Sequence, residues 1–306
     1  MKPEIRKDYI QDRYVIIAPA RKKRPHDIEK PHIVNAAPAV CAFCPEQVNK
    51  VHDLLTIGTK NKWDIKVIKN IYPAVTLDNP KAYGVQEVII ETPEHFKELD
   101  VLCDEHVSEL LNVYALRTKE ILKNKKIEYI LIFKNNGGKA GASLAHSHSQ
   151  IFATAFLPPH LIDKSQRMQE YKLRNGTCVF CDVIKKEAAS PRFVFKDKYI
   201  IAFTPYASMH NYEIWIMPLR HIDNITCLTE NERDSFAKIL KKILKKISAL
   251  GLPYNFYFHQ VRNDEDQHLY MKITPRGSVW AGVEIGSGLV INPVSPEDAA
   301  KYYRNI

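Results

Sequence analysis

His146, His148 and Gln150 occupy alternate positions in the stretch HSHSQ, between the apolar runs 127–133 and 151–156. Both runs are short and rich in β-branched and aromatic residues, which predicts strands. Because side chains alternate across a strand, the three functional groups would share one face. A neutral imidazole is a competent nucleophile near pH 7, and an amide can donate a hydrogen bond to a phosphate oxygen. One histidine could therefore carry a nucleotidyl group between two phosphate acceptors.

A glycine-rich stretch leads into these residues. Gly137, Gly138 and Gly141 would let backbone N–H groups approach an anion closely, as phosphate-binding loops do. Ser147 and Ser149 would point to the opposite face of the strand. Glycines also occur in ordinary hairpins, and two histidines in a strand are often only hydrogen-bonded polar residues. Neither feature alone establishes a site.

Two Cys-x-x-Cys pairs, each followed by two histidines at the ends of apolar stretches, indicate metal ligation. Two thiolates on a tight turn plus two imidazoles form a closed tetrahedral set that suits zinc. In a chain without a secretory signal, such pairs favour metal or redox chemistry over structural disulfides, and two matched sets favour structural zinc. Cys103 and Cys227 are interpreted as small buried apolar residues. The predicted ligands are Cys41, Cys44, His95 and His146 in the first set and Cys178, Cys181, His221 and His268 in the second.

The His-x-His-x-Gln pattern after a strand and a glycine-rich stretch resembles the active-site signature of the histidine-triad superfamily. The form is that of galactose-1-phosphate uridylyltransferases and related sugar-nucleotide phosphorylases. The hydrolase branch usually has a third histidine where this chain has Gln150, so the resemblance implies transfer. With His146 bound to metal, His148 would attack the α-phosphorus of a nucleotide sugar and form a covalent nucleotidyl-histidine. Gln150 would stabilise that intermediate by hydrogen bonding.

The resemblance extends over nearly the whole chain. The R-x-x-R-P motif near the amino terminus implies that Arg21 and Arg24 bind substrate phosphates, with a solvated basic turn as the alternative. The N-x-Y-P-A segment implies a nucleotide contact by Asn70, although Ile71 stands where uridylyltransferases often carry aspartate. Glu284 matches a glutamate that binds sugar hydroxyls. The further groups expected to bind phosphate are Asn135, Gly141 and Ser143.

The second half of the chain repeats the plan of the first. CVFC echoes CAFC, and the ten residues that end at His221 echo those that end at His95, with a long helix after each. We therefore predict an α+β fold of two histidine-triad-like halves, residues 1–160 and 161–306, each an antiparallel sheet with packed helices. The second half lacks the glycine-rich stretch and His-x-His-x-Gln, so only the first is predicted to be catalytic.

Helical periodicity predicts the two long helices. Residues 104–122 carry a broad apolar side. The second helix starts at a capping-box pair, Thr229 and Glu232, and its apolar positions keep helical spacing. Its opposite face is rich in lysine, which is more typical of a solvated surface than of a membrane or nucleic-acid surface.

Charge and length limit the possible partners. The 306 residues carry a formal net charge of +9 with a pI of about 9.1, which favours anionic partners such as sugar phosphates, nucleotides or nucleic acid. No apolar run approaches the roughly 20 residues that span a bilayer, so we predict no membrane interaction and a cytoplasmic location. Members of the family are commonly dimeric, which implies a homodimer.

Hexose-1-phosphate uridylyltransferase is the first function that the resemblance implies, with UMP moving between UDP-glucose and galactose 1-phosphate in a ping-pong reaction. The serines of HSHSQ suit the ADP-glucose phosphorylase branch, which is the alternative within the family, so the hexose and the base stay open. A basic zinc-ribbon protein that binds nucleic acid is an alternative of another class. Against it, the cysteine pairs are not joined in a compact ribbon, and aromatic residues are not interleaved with the basic clusters.

Overall fold

The computed structural model describes residues 2–23, 41–59, 62–262, 264 and 266–305. Within these residues the strands are β1 (Glu4–Lys7), β2 (Tyr14–Ile17), β3 (Asp53–Gly58), β4 (Trp63–Lys69), β5 (Gly84–Ile90), β6 (Tyr129–Asn136), β7 (His148–Thr154), β8 (Phe193–Lys196), β9 (Ile200–Phe203), β10 (Ile214–Pro218), β11 (Tyr254–His259), β12 (Tyr270–Pro275) and β13 (Val290–Asn292). The α-helices are α1 (Pro45–Val48), α2 (Asp104–Leu122), α3 (Pro159–Asn175), α4 (Val179–Ala188), α5 (Glu230–Ala249), α6 (Gly282–Ser287) and α7 (Pro296–Arg304). Arg24, predicted to bind phosphate, lies outside the described residues.

Ten strands form one sheet in the order β3-β4-β5-β7-β6-β11-β12-β10-β9-β8. Neighbouring strands run antiparallel throughout. Counted outward from the central pair β6 and β11, the two halves have the same strand order. The predicted α+β fold, with two matched antiparallel halves and packed helices, is confirmed. The predicted boundary near residue 160 stays a prediction, and it falls in the first turn of α3.

The two long helices pack in one core with the sheet and with each other. Helix α2 spans the predicted residues, and its buried side chains include Val107 and Tyr114. Helix α5 begins after Thr229, whose hydroxyl accepts the Glu232 N–H while the Glu232 carboxylate accepts the Thr229 N–H. The predicted capping box is therefore present. No helix formed by the described part of the chain has the length and apolar character to cross a membrane.

Strands β6 and β11 join the two halves at the centre of the sheet. Tyr254 pairs with Asn136, and the antiparallel register continues for three further residue pairs. Across the same pair of strands, Asn255 Nδ2 donates to Asn135 Oδ1 at 2.7 Å. Backbone hydrogen bonding therefore runs without a gap from one half into the other, with β7 next to β6.

A three-stranded sheet brings the beginning and the end of the chain together. β2 pairs antiparallel with β1 and parallel with β13. Val15 and Ile17 pack against Ala207, in the loop before β10. Asn292 Nδ2 donates to the carbonyl of Ser208 in the same loop at 2.8 Å. The small sheet therefore lies against the second half of the large sheet.

Two cysteines correct the sequence interpretation. Cys103 and Cys227 are both exposed, so their assignment as buried apolar residues is wrong. Cys103 is the residue before α2, and Cys227 lies in a short 3-10 turn before α5. Each therefore lies at the start or approach of a helix, outside its buried side chains.

Candidate active site and metal centres

The first predicted ligand set converges in a buried cluster beside β5 and β7. The ligand atoms of Cys41, Cys44, His95 and His146 all lie within 4.8 Å of one another. His95 Nδ1 is 3.4 Å from Cys44 Sγ, and His146 Nδ1 is 3.7 Å from both sulfurs. Helix α1 begins directly after Cys44, whose N–H donates to the Cys41 carbonyl at 3.2 Å. This turn directs both thiols to one side.

The second predicted ligand set forms the matching cluster in the other half. The ligand atoms of Cys178, Cys181, His221 and His268 also lie within 4.8 Å of one another. Cys181 Sγ is 3.2 Å from His221 Nδ1 and 3.8 Å from His268 Nδ1. Both cysteines here are half-buried, whereas those of the first cluster are buried. The first cluster is therefore the better shielded from water.

Both clusters fit a tetrahedral metal ion. Bonds of about 2.3 Å to sulfur and about 2.0 Å to nitrogen require ligand-to-ligand distances of roughly 3.3 to 3.8 Å. The Nδ1 to Sγ distances quoted above lie in this range, except that between Cys181 and His221, which at 3.2 Å is slightly shorter. His146 Nε2–H donates to the Thr92 carbonyl at 2.7 Å, and His268 Nε2–H donates to the Pro218 carbonyl at 2.9 Å. These hydrogen bonds leave each Nδ1 lone pair directed at the sulfurs. The eight predicted ligands thus form two groups that could each hold a metal ion.

His148 is the first residue of β7 and is only 7% exposed. Its Nδ1–H donates to the His146 carbonyl at 2.8 Å, so Nε2 carries the free lone pair. Burial lowers the pKa of His148 even though the carbonyl favours the charged ring. The imidazole is therefore neutral at pH 7, as a nucleophile must be. His146 lies two residues before β7 rather than in it. Even so, the two imidazoles are close together, because the Phe43 ring contacts both.

The opposite face of the same segment is held by a buried polar network. Ser147 Oγ donates to Glu91 at 2.6 Å, and Lys134 Nζ donates to both, at 2.9 Å to Ser147 Oγ and 2.6 Å to Glu91. Tyr114 OH donates to Ser149 Oγ at 2.7 Å. Burial opposes the charge on Lys134, but the Glu91 and Glu98 carboxylates raise its pKa. The serines therefore point away from His148, as the strand alternation predicted, and anchor the segment to the core.

Gln150 lies two residues after His148 and therefore on the same face of β7. Its Oε1 accepts hydrogen bonds from Gln86 Nε2 at 3.0 Å and from Asn70 Nδ2 at 3.4 Å. Asn70 Oδ1 in turn accepts the Tyr72 N–H at 2.8 Å. The structure thus brings together Gln150 and Asn70, both predicted for the site, and adds Gln86.

The glycine-rich stretch passes close to the same face. The paired register of β6 and β7 ends at Phe133 opposite Gln150, and Asn135 lies two residues further along β6. Gly137 and Gly141 have φ angles of 81° and 87°, which other residues rarely adopt, so the chain can turn sharply here. A Cβ on Gly141 would lie 3.7 Å from Asn135 Nδ2, and Ser143 is exposed. Asn135 and Gly141 are neighbours, and Ser143 follows on the exposed part of the loop that leads to β7.

Arg21 and Glu284 lie in another part of the molecule. A hydrogen bond from the backbone N–H before α6 lowers the pKa of Glu284, and the charge of Arg21 lowers it further. Trp280, just before α6, stacks on His210 in the loop before β10 at 5.5 Å. β10 is four positions from β7 in the sheet, or about 19 Å at roughly 4.8 Å per strand. Within the described residues, no hydrogen bond, ion pair or ring contact joins Arg21 or Glu284 to the nucleophile.

The second half has no imidazole at the position of His148. Tyr270 and Lys272 follow the metal-cluster histidine by two and four residues, as His148 and Gln150 do in the first half. Tyr270 OH accepts a hydrogen bond from Lys164 Nζ of α3 at 2.7 Å, in a fully buried contact. Burial lowers the pKa of Lys164 to about 7. Side chains of α3 therefore cover the face that corresponds to the site in the first half.

Known proteins resemble this chain over its whole length. The model of the family described as "Domain of unknown function (DUF4931) N-terminal domain" matches residues 24–156. ADP-glucose phosphorylase of Arabidopsis thaliana is 33% identical, with 99% of this chain and 93% of that protein aligned. Galactose-1-phosphate uridylyltransferase of Thermotoga maritima is 29% identical, with 98% of each chain aligned. The chain belongs to the galactose-1-phosphate uridylyltransferase family.

Solved structures of the galactose-1-phosphate uridylyltransferase family show the same fold. A crystal structure of ADP-glucose phosphorylase from Arabidopsis thaliana with bound ADP-glucose superposes with a TM-score of 0.89 at 30% identity, over 100% of this chain and 99% of that one. A uridylyltransferase structure superposes with a TM-score of 0.79 at 28% identity, over 99% and 97% of the two chains. The predicted resemblance is therefore confirmed for both branches of the family.

Three residues that contact the segment from His146 to Gln150 were not predicted from the sequence. Phe43 could have been noticed, because it lies between the two cysteines of a predicted metal turn. Lys134 could have been noticed as a charge at the end of an apolar strand. Gln86 gave no such signal, because only the pairing of β5 with β7 brings it to Gln150.

Proposed function

We propose that this member of the galactose-1-phosphate uridylyltransferase family transfers a nucleotidyl group from a nucleotide sugar through His148. The observation that carries the proposal is the Nδ1–H hydrogen bond to the His146 carbonyl, which leaves Nε2 free on a neutral ring. The names of the relatives, ADP-glucose phosphorylase and galactose-1-phosphate uridylyltransferase, support it. On this basis the chain is an enzyme of the nucleotidyltransferase class.

The reaction proceeds in two displacement steps at one phosphorus. In the first, His148 Nε2 attacks the α-phosphorus, a P–N bond forms, and the P–O bond to the leaving hexose 1-phosphate breaks with its electron pair. In the second, an oxygen of hexose 1-phosphate or inorganic phosphate attacks, and the P–N electron pair returns to the imidazole. The Nδ1 proton stays on the ring throughout. Gln150 donates a hydrogen bond to a non-bridging oxygen and, unable to exchange protons, does not activate water.

The glycine-rich loop supplies the remaining phosphate contacts from the same chain. Asn135 is proposed to donate from its amide, Gly141 from its backbone N–H and Ser143 from its hydroxyl. Gly141 lies beside Asn135, which lies on β6 two residues after Phe133, the partner of Gln150, and this position supports the assignment. These donors would neutralise charge that develops on the phosphoryl oxygens in the transition state.

Each Cys₂His₂ cluster is proposed to hold one zinc ion. Two thiolates and two imidazoles at tetrahedral separations suit zinc, and protein atoms would fill all four positions. Such an ion supplies rigidity rather than a reactive water. At the first cluster it would fix His146, whose carbonyl holds Nδ1 of His148. The second, half-buried cluster is proposed to hold its own ion in the same way.

UDP-glucose, with galactose 1-phosphate as acceptor, is the first substrate pair proposed. Uridylyltransferases of Thermotoga maritima and Haemophilus influenzae align over 98% and 86% of this chain. ADP-glucose is the second candidate, favoured by the 33% identity and the TM-score of 0.89 to an ADP-glucose phosphorylase. Ile71, 65% exposed and adjacent to Asn70, offers no carboxylate where uridylyltransferases often have one. One lost polar contact changes selectivity by only about 1 to 3 kcal/mol.

A competition experiment tests the function and separates the donors. The purified protein is exposed to equal concentrations of UDP-glucose and ADP-glucose, and its intact mass identifies the attached nucleotide. Discharge of the adduct by galactose 1-phosphate or by inorganic phosphate then identifies the acceptor. We expect an acid-labile uridylyl adduct that galactose 1-phosphate removes. An adenylyl adduct removed by phosphate would select the phosphorylase. Protein that forms neither adduct and binds nucleic acid tightly after nuclease treatment would overturn the proposal.

The protein is further proposed to be a homodimer in which Arg21 and Glu284 of one protomer complete the site of the other. Their location near the loop before β10, four strands from the β7 of His148, supports this arrangement, since the resemblance gives both residues to the substrate. Val279 and Ile285, close to Glu284, are 82% and 76% exposed and are available for burial in an interface. The cytoplasmic location stays a prediction.

Mixed dimers test the shared site. His148→Ala and Glu284→Ala protein should each be nearly inactive, but after co-expression about one quarter of the sites should be intact, because random pairing gives half mixed dimers with one complete site each. Turnover of the mixture measures this recovery. As a control, His148→Ala mixed with Gln150→Ala should recover nothing, because both side chains lie on β7. A mixture of His148→Ala and Glu284→Ala with no more activity than its parents would contradict the proposal.

A further inference from the structure

Gln86 connects the candidate catalytic amide to the loop that precedes β5. Its Nε2 donates to Gln150 Oε1 at 3.0 Å, and its Oε1 accepts the Ala74 N–H at 2.9 Å. Gln86 and Gln150 are 64 residues apart and meet because β5 pairs with β7. Both side chains are half-buried. Neither the family resemblance nor the proposed mechanism gives Gln86 a role.

These contacts decide which way the Gln150 amide points. A glutamine side chain has one oxygen that only accepts and one NH₂ group that only donates. Gln150 Oε1 accepts from Gln86 and, at 3.4 Å, from Asn70. Among the described residues, Gln150 Nε2 has no hydrogen-bond acceptor. The NH₂ group is therefore left free to bind an oxygen that is not part of the chain.

We propose that Gln86 is a positioning residue that holds the Gln150 amide with its NH₂ group toward the transferred phosphoryl group. The inference rests on the proposed function, because it concerns the donor that stabilises the nucleotidyl intermediate. If the Gln150 amide rotated by half a turn, its oxygen would face the phosphate oxygens and repel them. Gln86 prevents this rotation because its own oxygen is engaged by the Ala74 N–H, so only its NH₂ group faces Gln150.

The second half contains a matching pair at the same place. Lys272, at the position of Gln150, forms an ion pair with Glu213 at 2.8 Å. Glu213 corresponds to Gln86. Each lies on the neighbouring strand or directly before it, two residues ahead of the residue that pairs with Lys272 or Gln150. Glu213 also accepts backbone N–H groups of the preceding loop, from Met209 at 2.9 Å and His210 at 3.2 Å. In each half, therefore, the side chain on β7 or β12 is held by a residue at the start of the neighbouring strand, and that residue is itself hydrogen-bonded to the loop before it.

Glu213 has a carboxylate where Gln86 has an amide, and the proposed role of Gln86 requires the amide. A carboxylate can only accept hydrogen bonds, which suits the lysine ammonium of Lys272. In the first half a carboxylate would accept from the Gln150 NH₂ group and turn the amide oxygen outward. Glutamine has the same length as glutamate, but its amide can do both things that are needed here. Its oxygen accepts the N–H of the loop, and its NH₂ group donates to Gln150. This difference provides a sharp test.

A double-mutant cycle with Gln150→Ala tests the inference. The measured quantities are the single-turnover rate of His148 adduct formation and the dissociation constant of the donor. Gln86→Leu should reduce the rate about tenfold and leave the dissociation constant within about threefold, since a transition-state contact is weakened. In the Gln150→Ala background the same change should have less than about a twofold effect, because the contact is already lost. Tyr83→Phe, directly before β5 and hydrogen-bonded through its hydroxyl to Asn124 rather than to Gln150, should behave as wild type in both measurements.

Gln86→Glu separates positioning from simple support of the loop. Glutamate still accepts the Ala74 N–H, so a structural role predicts nearly normal rates. The proposed role predicts a loss of about one hundredfold, larger than for Gln86→Leu, that disappears in the Gln150→Ala background. A loss that persists there would come from repulsion between the new carboxylate and the phosphates and would overturn the inference. Additive effects of Gln86→Leu and Gln150→Ala would overturn it as well. Wild-type protein that forms no adduct would instead overturn the proposed function.

Discussion

Replacing His148 with alanine is expected to abolish the covalent nucleotidyl adduct and to reduce turnover by roughly 10⁴-fold or more, the scale seen when a nucleophile is removed. The neighbouring His146 cannot take its place, because its Nδ1 faces the two sulfurs of the first cluster and its Nε2 is bound to a carbonyl. Intact mass after exposure to the donor measures the adduct, and steady-state assays measure turnover. The metal content should equal that of wild type, since His148 is not among the eight clustered ligands.

Two comparisons make the His148→Ala result specific. His52→Ala, at an exposed histidine outside the site, should keep both adduct and turnover. Circular dichroism of His148→Ala should match wild type, because the network on the opposite face, through Ser147 and Lys134, is untouched. If the alanine variant still acquires a nucleotide, the role of nucleophile belongs to another side chain.

Replacing Cys41 with alanine is expected to remove one of two metal equivalents and to lower the free energy of unfolding by about 4 kcal/mol or more, as is usual for loss of a structural metal. The first cluster ties the Cys-x-x-Cys turn to the ends of β5 and β7, so its loss releases the segment around His146. Without metal, burial and the neighbouring Cys41 raise the pKa of the Cys44 thiol to about 11. Metal binding therefore releases protons, and the metal should be lost more readily as the pH falls.

Elemental analysis and denaturant unfolding of three matched variants check the metal prediction. Cys178→Ala should also lose one equivalent, but the protein that remains folded should still form the His148 adduct, since the second cluster lies in the other half. Cys103→Ala, at an exposed cysteine outside both clusters, should keep both equivalents and its stability. If the wild-type protein holds one metal equivalent, and this is lost in Cys41→Ala but kept in Cys178→Ala, then only the first cluster is occupied.

The sequence predicted those parts of the protein that local patterns determine. Helix α2 and the capping box of α5 follow from apolar spacing and from Thr229 and Glu232. The two ligand sets follow from repeated cysteine and histidine spacing, because a tetrahedral ion needs residue types that few other sites combine. The face shared by His148 and Gln150 follows from the alternation of side chains along one strand.

Contacts that depend on strand pairing between distant segments could not be predicted in this way. Gln86 reaches Gln150 only through the register of β5 on β7, and no local pattern gives that register. Lys134 and Glu91 form a buried ion pair for the same reason. The position of Glu284 depends on how the chain termini fold against the second half. The sequence shows which residues are present, but it does not show which of them are neighbours in the folded protein.

The pairing of β6 with β11 makes the duplicated protein a single folding unit. Each of these strands would be an open edge if the halves separated, and its N–H and C=O groups would lose their partners. The shared core of α2 and α5 would open in the same event. Unfolding should therefore be one cooperative transition, and amide hydrogens of β6 and β11 should exchange as slowly as the most protected ones in either half. A defect in one half, even far from His148, would reduce the amount of active enzyme by unfolding both halves together.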